Sequence, residues 1–279
     1  MVLSGEGGDE LFLGYPTVHA ANAARFYRML PGVLRSAMKI AARRLPAGTS
    51  RLPLSFKIKS FVEADHPDIF RTFFGFKEVV RYQTWPELLT PEALAMVGEI
   101  DPFVAFTQYR EKLEHWHLID ALSYLDLKVF LPGSCFYGTD NAFMAASVEC
   151  RVPFMDNELV DFAAALPVNV RFHPWKVKHL LRHALERHFP TPRLEKEKLP
   201  RYRKNGFEVP GTIWLKSGRF HDMLQRLLSE KRIARAGFFK SKPVQTLIEE
   251  QLSGKQNNER ILQAIMSLNL FLEGTYSLD

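Results

Sequence analysis

Residues 4–15 read Ser4-Gly5-Glu6-Gly7-Gly8-Asp9-Glu10-Leu11-Phe12-Leu13-Gly14-Tyr15, directly behind the short apolar lead-in Met1-Val2-Leu3. Gly5, Gly7 and Gly8 carry no Cβ, so a backbone built from them can turn sharply and come close to a ligand. Glu6 and Asp9 add two carboxylates to the same small volume, and paired carboxylates point to acid–base chemistry or to a cation. The loop therefore suits a nucleotide with its metal. A purely structural alternative is an acidic, glycine-rich turn that caps a helix starting near Gly8.

Composition agrees with a compact body. With 46% hydrophobic and 24% charged residues in 279, the chain holds enough apolar mass for one large or two small globular units. Cys135 and Cys150 cannot make a disulfide framework and lack metal-ligand spacing, which predicts buried, reduced thiols. No run of eighteen apolar residues and no basic-then-apolar leader occurs, so no membrane segment is expected and the cytoplasm is the default location. A net charge of +6 and a pI near 9.3 suit nucleic acid, an anionic surface or an anionic substrate such as ATP. Arg25, Arg28, Arg35, Lys39, Arg43 and Arg44 face Val33, Leu34, Met38, Ala41 and Leu45 across a helical stretch, the pattern of a solvated face packed on a core. Without interleaved aromatics, that run gives no support to nucleic-acid binding. Residues 46–60 read as a loop.

The rest reads as helical. Pro67, Pro86 and Pro91 cut residues 64–100 into short helices, with Phe70, Phe73, Phe74 and Phe76 as core. Apolar spacing predicts one long helix, or two nearly continuous ones, from Phe103 to Phe130, ending at Pro132-Gly133. His115 and His117, at i and i+2, do not form a helical metal pair. Met144 to Glu149 reads as a further helix. Leu159, Phe162, Ala163 and Leu166 form one apolar face, and Val177, Leu180, Leu181, Ala184, Leu185 and His188 another; the two helices should close the core.

Four landmarks in order, residues 4–15, Tyr124-Leu125-Asp126-Leu127-Lys128, Met144 to Asp156 with Glu149-Cys150-Arg151-Val152-Pro153-Phe154, and Lys204-Asn205-Gly206-Phe207-Glu208-Val209-Pro210, resemble the synthetase domain of the asparagine synthetase family. The resemblance implies an α/β adenine-nucleotide hydrolase-like domain in the intact enzyme, with this chain predominantly α-helical. It spans residues 1–215, the C-terminal part of the synthetase domain, and leaves 216–279 as a helical extension of the same domain. The family's Ser-Gly-Gly-x-Asp-Ser phosphate loop and the N-terminal cysteine of its glutaminase domain are absent from these residues. The expectation is a C-terminal piece of a longer enzyme, catalysing little alone. Apolar surface that would face missing strands predicts self-association as a homo-oligomer or a repacked N-terminal segment.

The resemblance also implies roles. ATP would be cleaved between its α- and β-phosphates by a carboxylate, aspartate or another, and ammonia from a glutaminase domain would then form the amide. Ser4, Gly5 and Gly7 would contact the nucleotide, Asp9 would hold Mg²⁺, and Glu6 would position ammonia and accept its proton. Lys204, in the cationic stretch Arg201-Tyr202-Arg203-Lys204, would stabilise the leaving phosphates. Glu149 is a secondary catalytic candidate, and Arg151 and Lys178 are substrate-binding candidates. Gly133 and Gly138-Thr139-Asp140 depart from the family, which has an acid after the Leu-Pro step and a Lys-x-Asp pair. That departure opens two alternatives, a relative that amidates or lactamises another carboxylate and a non-catalytic helical interaction module.

Overall fold

The structure, a computed structural model, describes residues 1–45, 54–188 and 210–276. Among them one sheet forms, from β1 (Val2–Leu3) and β2 (Cys150–Arg151), paired in parallel with Val2 beside Cys150 and Leu3 beside Arg151. The Val2 N–H donates to the Glu149 carbonyl and the Ser4 N–H to the Arg151 carbonyl, both at 2.8 Å. Parallel strands need a crossover. Here the chain between β1 and β2 makes that crossover, and both strands therefore end on the same side. The loop from Ser4 to Gly7 and the short 3₁₀ turn Pro153–Met155 lie next to each other there. Gly7 has φ +84°, and a Cβ on it would sit 2.5 Å from the Met155 sulfur.

The chain leaves this loop through a four-residue helix, Gly8–Leu11, and turns at Leu13, whose φ of +55° is uncommon for a residue with a side chain. Extended Tyr15 then leads into the helix Pro16–Tyr27, with proline in its first turn.

The chain divides into two compact units. The first holds Met1–Pro31, Ala64–Phe76 and the residues from Phe103 onward that are described up to 188. Its core joins Leu13, Val18 and Ala21 to Phe70, Phe73, Phe106, Leu113, Ile119, Leu122 and Leu125. The Phe74 ring meets Phe103 and Phe106 edge-on, at centroid distances of 4.8 and 5.1 Å. Burial of each such side chain stabilises the fold by about 1.5–3 kcal/mol. A smaller cluster packs Leu11, Phe12 and Ala163 against Leu159, Leu180 and Leu181. The second unit holds Gly32–Glu63, Lys77–Pro102 and the described residues from 210 to 276. Its core gathers Leu88, Leu224, Leu227, Ile233, Val244, Ile248, Leu262 and Ile265.

The prolines act as expected: Pro86 and Pro91 sit in the first turns of Trp85–Leu88 and Pro91–Val97. Other expectations are corrected. The stretch 103–130 breaks into Val104–Thr107, Arg110–Leu113 and Leu118–Leu125, because extended His117 caps the last of these through its ring nitrogen. Pro132 does not end the helix. It lies inside a π-helical segment, Asp126–Phe136, that continues into Tyr137–Met144; the wider turn tolerates the missing N–H. Residues 145–149 are not helical, since Ser147 takes φ +54° and the chain straightens into β2.

Leu54–Glu63 is helical, so only 46–53 of the expected loop remains open, and those residues lie outside the described ones. The apolar face of Gly32–Arg43 is not packed: Val33 is 85% exposed and only Ala42 is buried. Phe162 likewise points outward. Cys135 and Cys150 form no disulfide among the described residues and are half-buried rather than buried. No helix of the described residues is long and apolar enough to cross a membrane.

Gly7→Ala should destabilise the fold by about 1–2 kcal/mol from the left-handed backbone alone, and Met155 must move in addition. Urea unfolding of the variant beside Met155→Ala/Gly7→Ala separates the two contributions. An unchanged midpoint for Gly7→Ala would contradict the assigned backbone.

Candidate functional site

The two strand ends create the site. Ser4 Oγ accepts the Glu6 N–H at 3.3 Å, which tightens the loop after β1. The Glu6 carboxylate then accepts a hydrogen bond through Oε1 from the Thr139 hydroxyl. Its other oxygen, Oε2, is buried without a hydrogen-bond partner among the described residues. Glu6 lines a cavity of about 410 Å³ with Pro132, Phe136, Thr139, Asp140 and Cys150. Open crevices outside the carboxyl ends of parallel strands are where α/β sheets bind ligands.

Asp9, in the first turn of the following helix, is paired with Lys178: Nζ lies 3.2 Å from Oδ1, and both side chains are mostly covered. Two backbone features make that contact. Lys178 adopts φ +52° and its N–H reaches the Leu13 carbonyl at 3.4 Å. Gly14 lies directly beneath, where a Cβ would collide with the Asp9 carboxylate and the Lys178 side chain. The ion pair therefore depends on the absence of a side chain at position 14.

Behind the loop lies a buried polar group of residues. Glu10, 2% exposed, accepts the Tyr15 hydroxyl at 2.7 Å, and the Ser123 hydroxyl donates to the Glu10 carbonyl at 2.9 Å. Burial, and then the adjacent Glu10 charge, hold the Tyr15 phenol far above its usual value. Cys135 Sγ is 3.8 Å from the same hydroxyl. Arg171, 4% exposed, pairs with Asp120 and reaches the Leu11 carbonyl at 3.5 Å. These contacts fix the short helix that carries Asp9.

Other candidates fare differently. Glu149 and Arg151 bond to each other at 2.9 Å with both side chains more than 60% exposed (61% and 63%); neither lines the Glu6 cavity. Such an exposed pair is worth about 0–1 kcal/mol. Gly5 faces open space. Lys204 and the cationic stretch Arg201–Lys204 lie outside the described residues. His115 pairs with Glu114 on the surface, and among the described residues no three His, Cys, Asp or Glu side chains gather as a metal cluster. Sequence reasoning missed Thr139, Gly14 and Arg171 as supports. Thr139 sits where the family pattern is broken, and that break was the one available signal.

Residues 1–273 match the family described as Asparagine synthase. The chain belongs to that family. It is 28% identical over 274 residues to a putative glutamine-hydrolysing asparagine synthetase of Mycobacterium tuberculosis, covering 97% of this chain and 39% of that protein. Asparagine synthetase [glutamine-hydrolyzing] 1 of Bacillus subtilis is 24% identical over 270 residues, with 95% and 39% covered. Amidase chry2 of Gibberella zeae is 24% identical over 258 residues, with 85% and 36% covered. The chain thus spans about two fifths of the length of the synthetases it matches, 39% in each. No solved structure matches it. The matched range includes the loop that carries Glu6 and Asp9.

The Tyr15 environment has a pH signature. The unfolded phenol loses its proton near pH 10 whereas the folded one keeps it, so this group's contribution is intact below about pH 10 and is lost as pH rises beyond it. Tyr15→Phe should flatten the alkaline fall in unfolding free energy and lose about 1.5–3 kcal/mol at neutral pH, because the acceptor is a buried carboxylate. Urea unfolding of both proteins at about pH 7 and about pH 10.5 measures this, and parallel alkaline slopes would exclude Tyr15 as their source.

Proposed function

We propose that this chain carries the nucleotide- and acyl-handling part of an ATP-dependent amide ligase of the asparagine synthetase type. The observation that carries the reading is the juxtaposition at the strand ends: Glu6 held by Thr139 in a cavity, with the Asp9–Lys178 pair on the helix that follows. The sheet that β1 and β2 begin is read as part of an adenine-nucleotide hydrolase-like domain, with residues 1–215 belonging to it and 216–279 as its helical extension.

In this reading Ser4, Gly5 and Gly7 contact the nucleotide, and the substrate carboxylate attacks the α-phosphorus of ATP as pyrophosphate leaves. Glu6 then takes a proton from ammonia at Oε2 while nitrogen attacks the acyl carbon and AMP departs. Geometry favours that atom, because Oε1 is already engaged by Thr139. Lys204 and Lys178 supply positive charge for the phosphates. Asp9 fits a magnesium ion, which commonly takes one or two protein carboxylates and completes its shell with phosphates and water. Bound there, magnesium would neutralise phosphate charge, and Lys178 would have to yield its place on Asp9. Aspartate is the first choice of carboxylate, with ammonia drawn from glutamine.

A second reading, a different carboxylate, is favoured by one observation. Gly138 stands where the resembling pattern has lysine, and the Glu6 oxygen is met by the Thr139 hydroxyl instead of by a cation. Glu149 and Arg151 remain candidates only if their mutual pair opens when substrate binds.

Pyrophosphate release from ATP, measured on the protein expressed from its complete reading frame with aspartate, ammonia and Mg²⁺, tests the reading. Glu6→Gln and Lys204→Ala should each lower kcat by at least about 100-fold. Release with another acid but not aspartate selects the second reading, and none with any acid leaves a helical interaction module. Thr139→Val should lower kcat by about tenfold or more with KM for ATP little changed, and Thr139→Ser should restore it. Equal activity of Thr139→Val and the unaltered protein would remove Thr139 from the site.

A further inference from the structure

Arg25 and Arg28 are one helical turn apart at the end of Pro16–Tyr27. Both line a cavity of about 680 Å³, together with Arg110, Glu114, Trp116 and His117. None of these residues lines the cavity around Glu6. In the sequence the two arginines belong to a basic run that reads as a solvated face. In the structure their guanidinium groups have no ion-pair or hydrogen-bond partner among the described residues.

The neighbouring groups leave this wall rich in donors. Asp68 neutralises Arg110 and also caps the helix Ile69–Gly75 by accepting the Phe70 N–H at 2.9 Å. Glu114 offsets part of the remaining charge but is shared with His115 at 3.2 Å. The His117 ring accepts the Ile119 N–H at Nδ1, 3.3 Å away, so neutral His117 carries its proton on Nε2. Trp116 leaves 44% of its surface exposed. The lining keeps a net positive charge, and like charges one helical turn apart repel one another unless an anion intervenes.

We propose that this cavity is an anion site for a phosphate-bearing small molecule, distinct from the site around Glu6. A carboxylate offers two oxygens, which a single guanidinium can satisfy with paired hydrogen bonds. Two free guanidinium groups and an imidazole N–H call for the three or more acceptor oxygens of a phosphate. The exposed indole of Trp116 makes the site observable by fluorescence. The proposal stands whether or not the chain is an amide ligase.

Titration with sodium pyrophosphate at low salt, followed by calorimetry and tryptophan fluorescence, tests it. Saturable binding is expected, weakened at least about tenfold in Arg25→Gln/Arg28→Gln, since each lost charged hydrogen bond costs about that factor or more. Trp116→Phe should bind but lose the fluorescence change, and sodium acetate should not compete. Because pyrophosphate could also bind near Asp9, Asp9→Asn is titrated in parallel and should retain the fluorescence-reported site. Thermal melts establish that the variants are folded. No saturable binding, binding that the double arginine variant leaves intact, or equal binding of acetate would each overturn the proposal.

Discussion

Two hydrogen bonds decide which residues share the site. When the Val2 and Ser4 N–H groups pair with the carbonyls of Glu149 and Arg151, residues almost 150 positions apart come to share one edge. The parallel sense matters as much as the pairing. Had the strands run in opposite directions, the Gly-rich loop would leave one end of the sheet and the Val152–Met155 turn the other, and Glu6 would not share a cavity with Cys150 and Thr139. The strands are only two residues each, so their position is fixed by the packing around them. Arg171, reaching the Leu11 carbonyl from a buried position, and Tyr15, reaching Glu10, brace the helix that leaves β1.

Local chemistry and long-range packing divide the site between what could and could not be read from the sequence. The loop from Ser4 to Asp9 was legible because glycine and carboxylate are uncommon together, and each restricts what the backbone can do. The prolines at 86 and 91 were legible for the same reason: a residue without an N–H has few places to sit in a helix. Thr139 was not legible as a partner of Glu6, because a threonine on a helix gives no sign of which distant atom it meets. The contact between Asp9 and Lys178 spans 169 positions, and the clue to it, Gly14, looks in sequence like one more loop glycine. Apolar spacing misled in Gly32–Arg43, where a clear stripe predicts burial and the structure leaves it open. Periodicity reports which face of a helix is apolar; it does not report whether another element covers that face.

Charge is arranged unevenly around the Gly-rich loop. Asp9 is compensated by a long-stemmed cation, whereas Glu10 is held by a neutral phenol in a dry setting. Adjacent carboxylates thus meet opposite circumstances. The first can exchange its partner for another cation at modest cost, while the second is committed to its environment. Glu6 is intermediate, with one oxygen bonded and the other buried without a partner among the described residues.

The π-helical stretch Asp126–Phe136 sets the rotational phase of everything after it. Each residue added to or removed from a helix turns the next segment by about 100° and shifts it by about 1.5 Å. The wide turns around Pro132 therefore act as a mechanical offset that brings the Thr139 hydroxyl to the Glu6 side of its helix. A chain shortened by one residue there would present a different column of side chains to the loop. Insertions or deletions across this segment would thus reset the lining of the cavity in a single step.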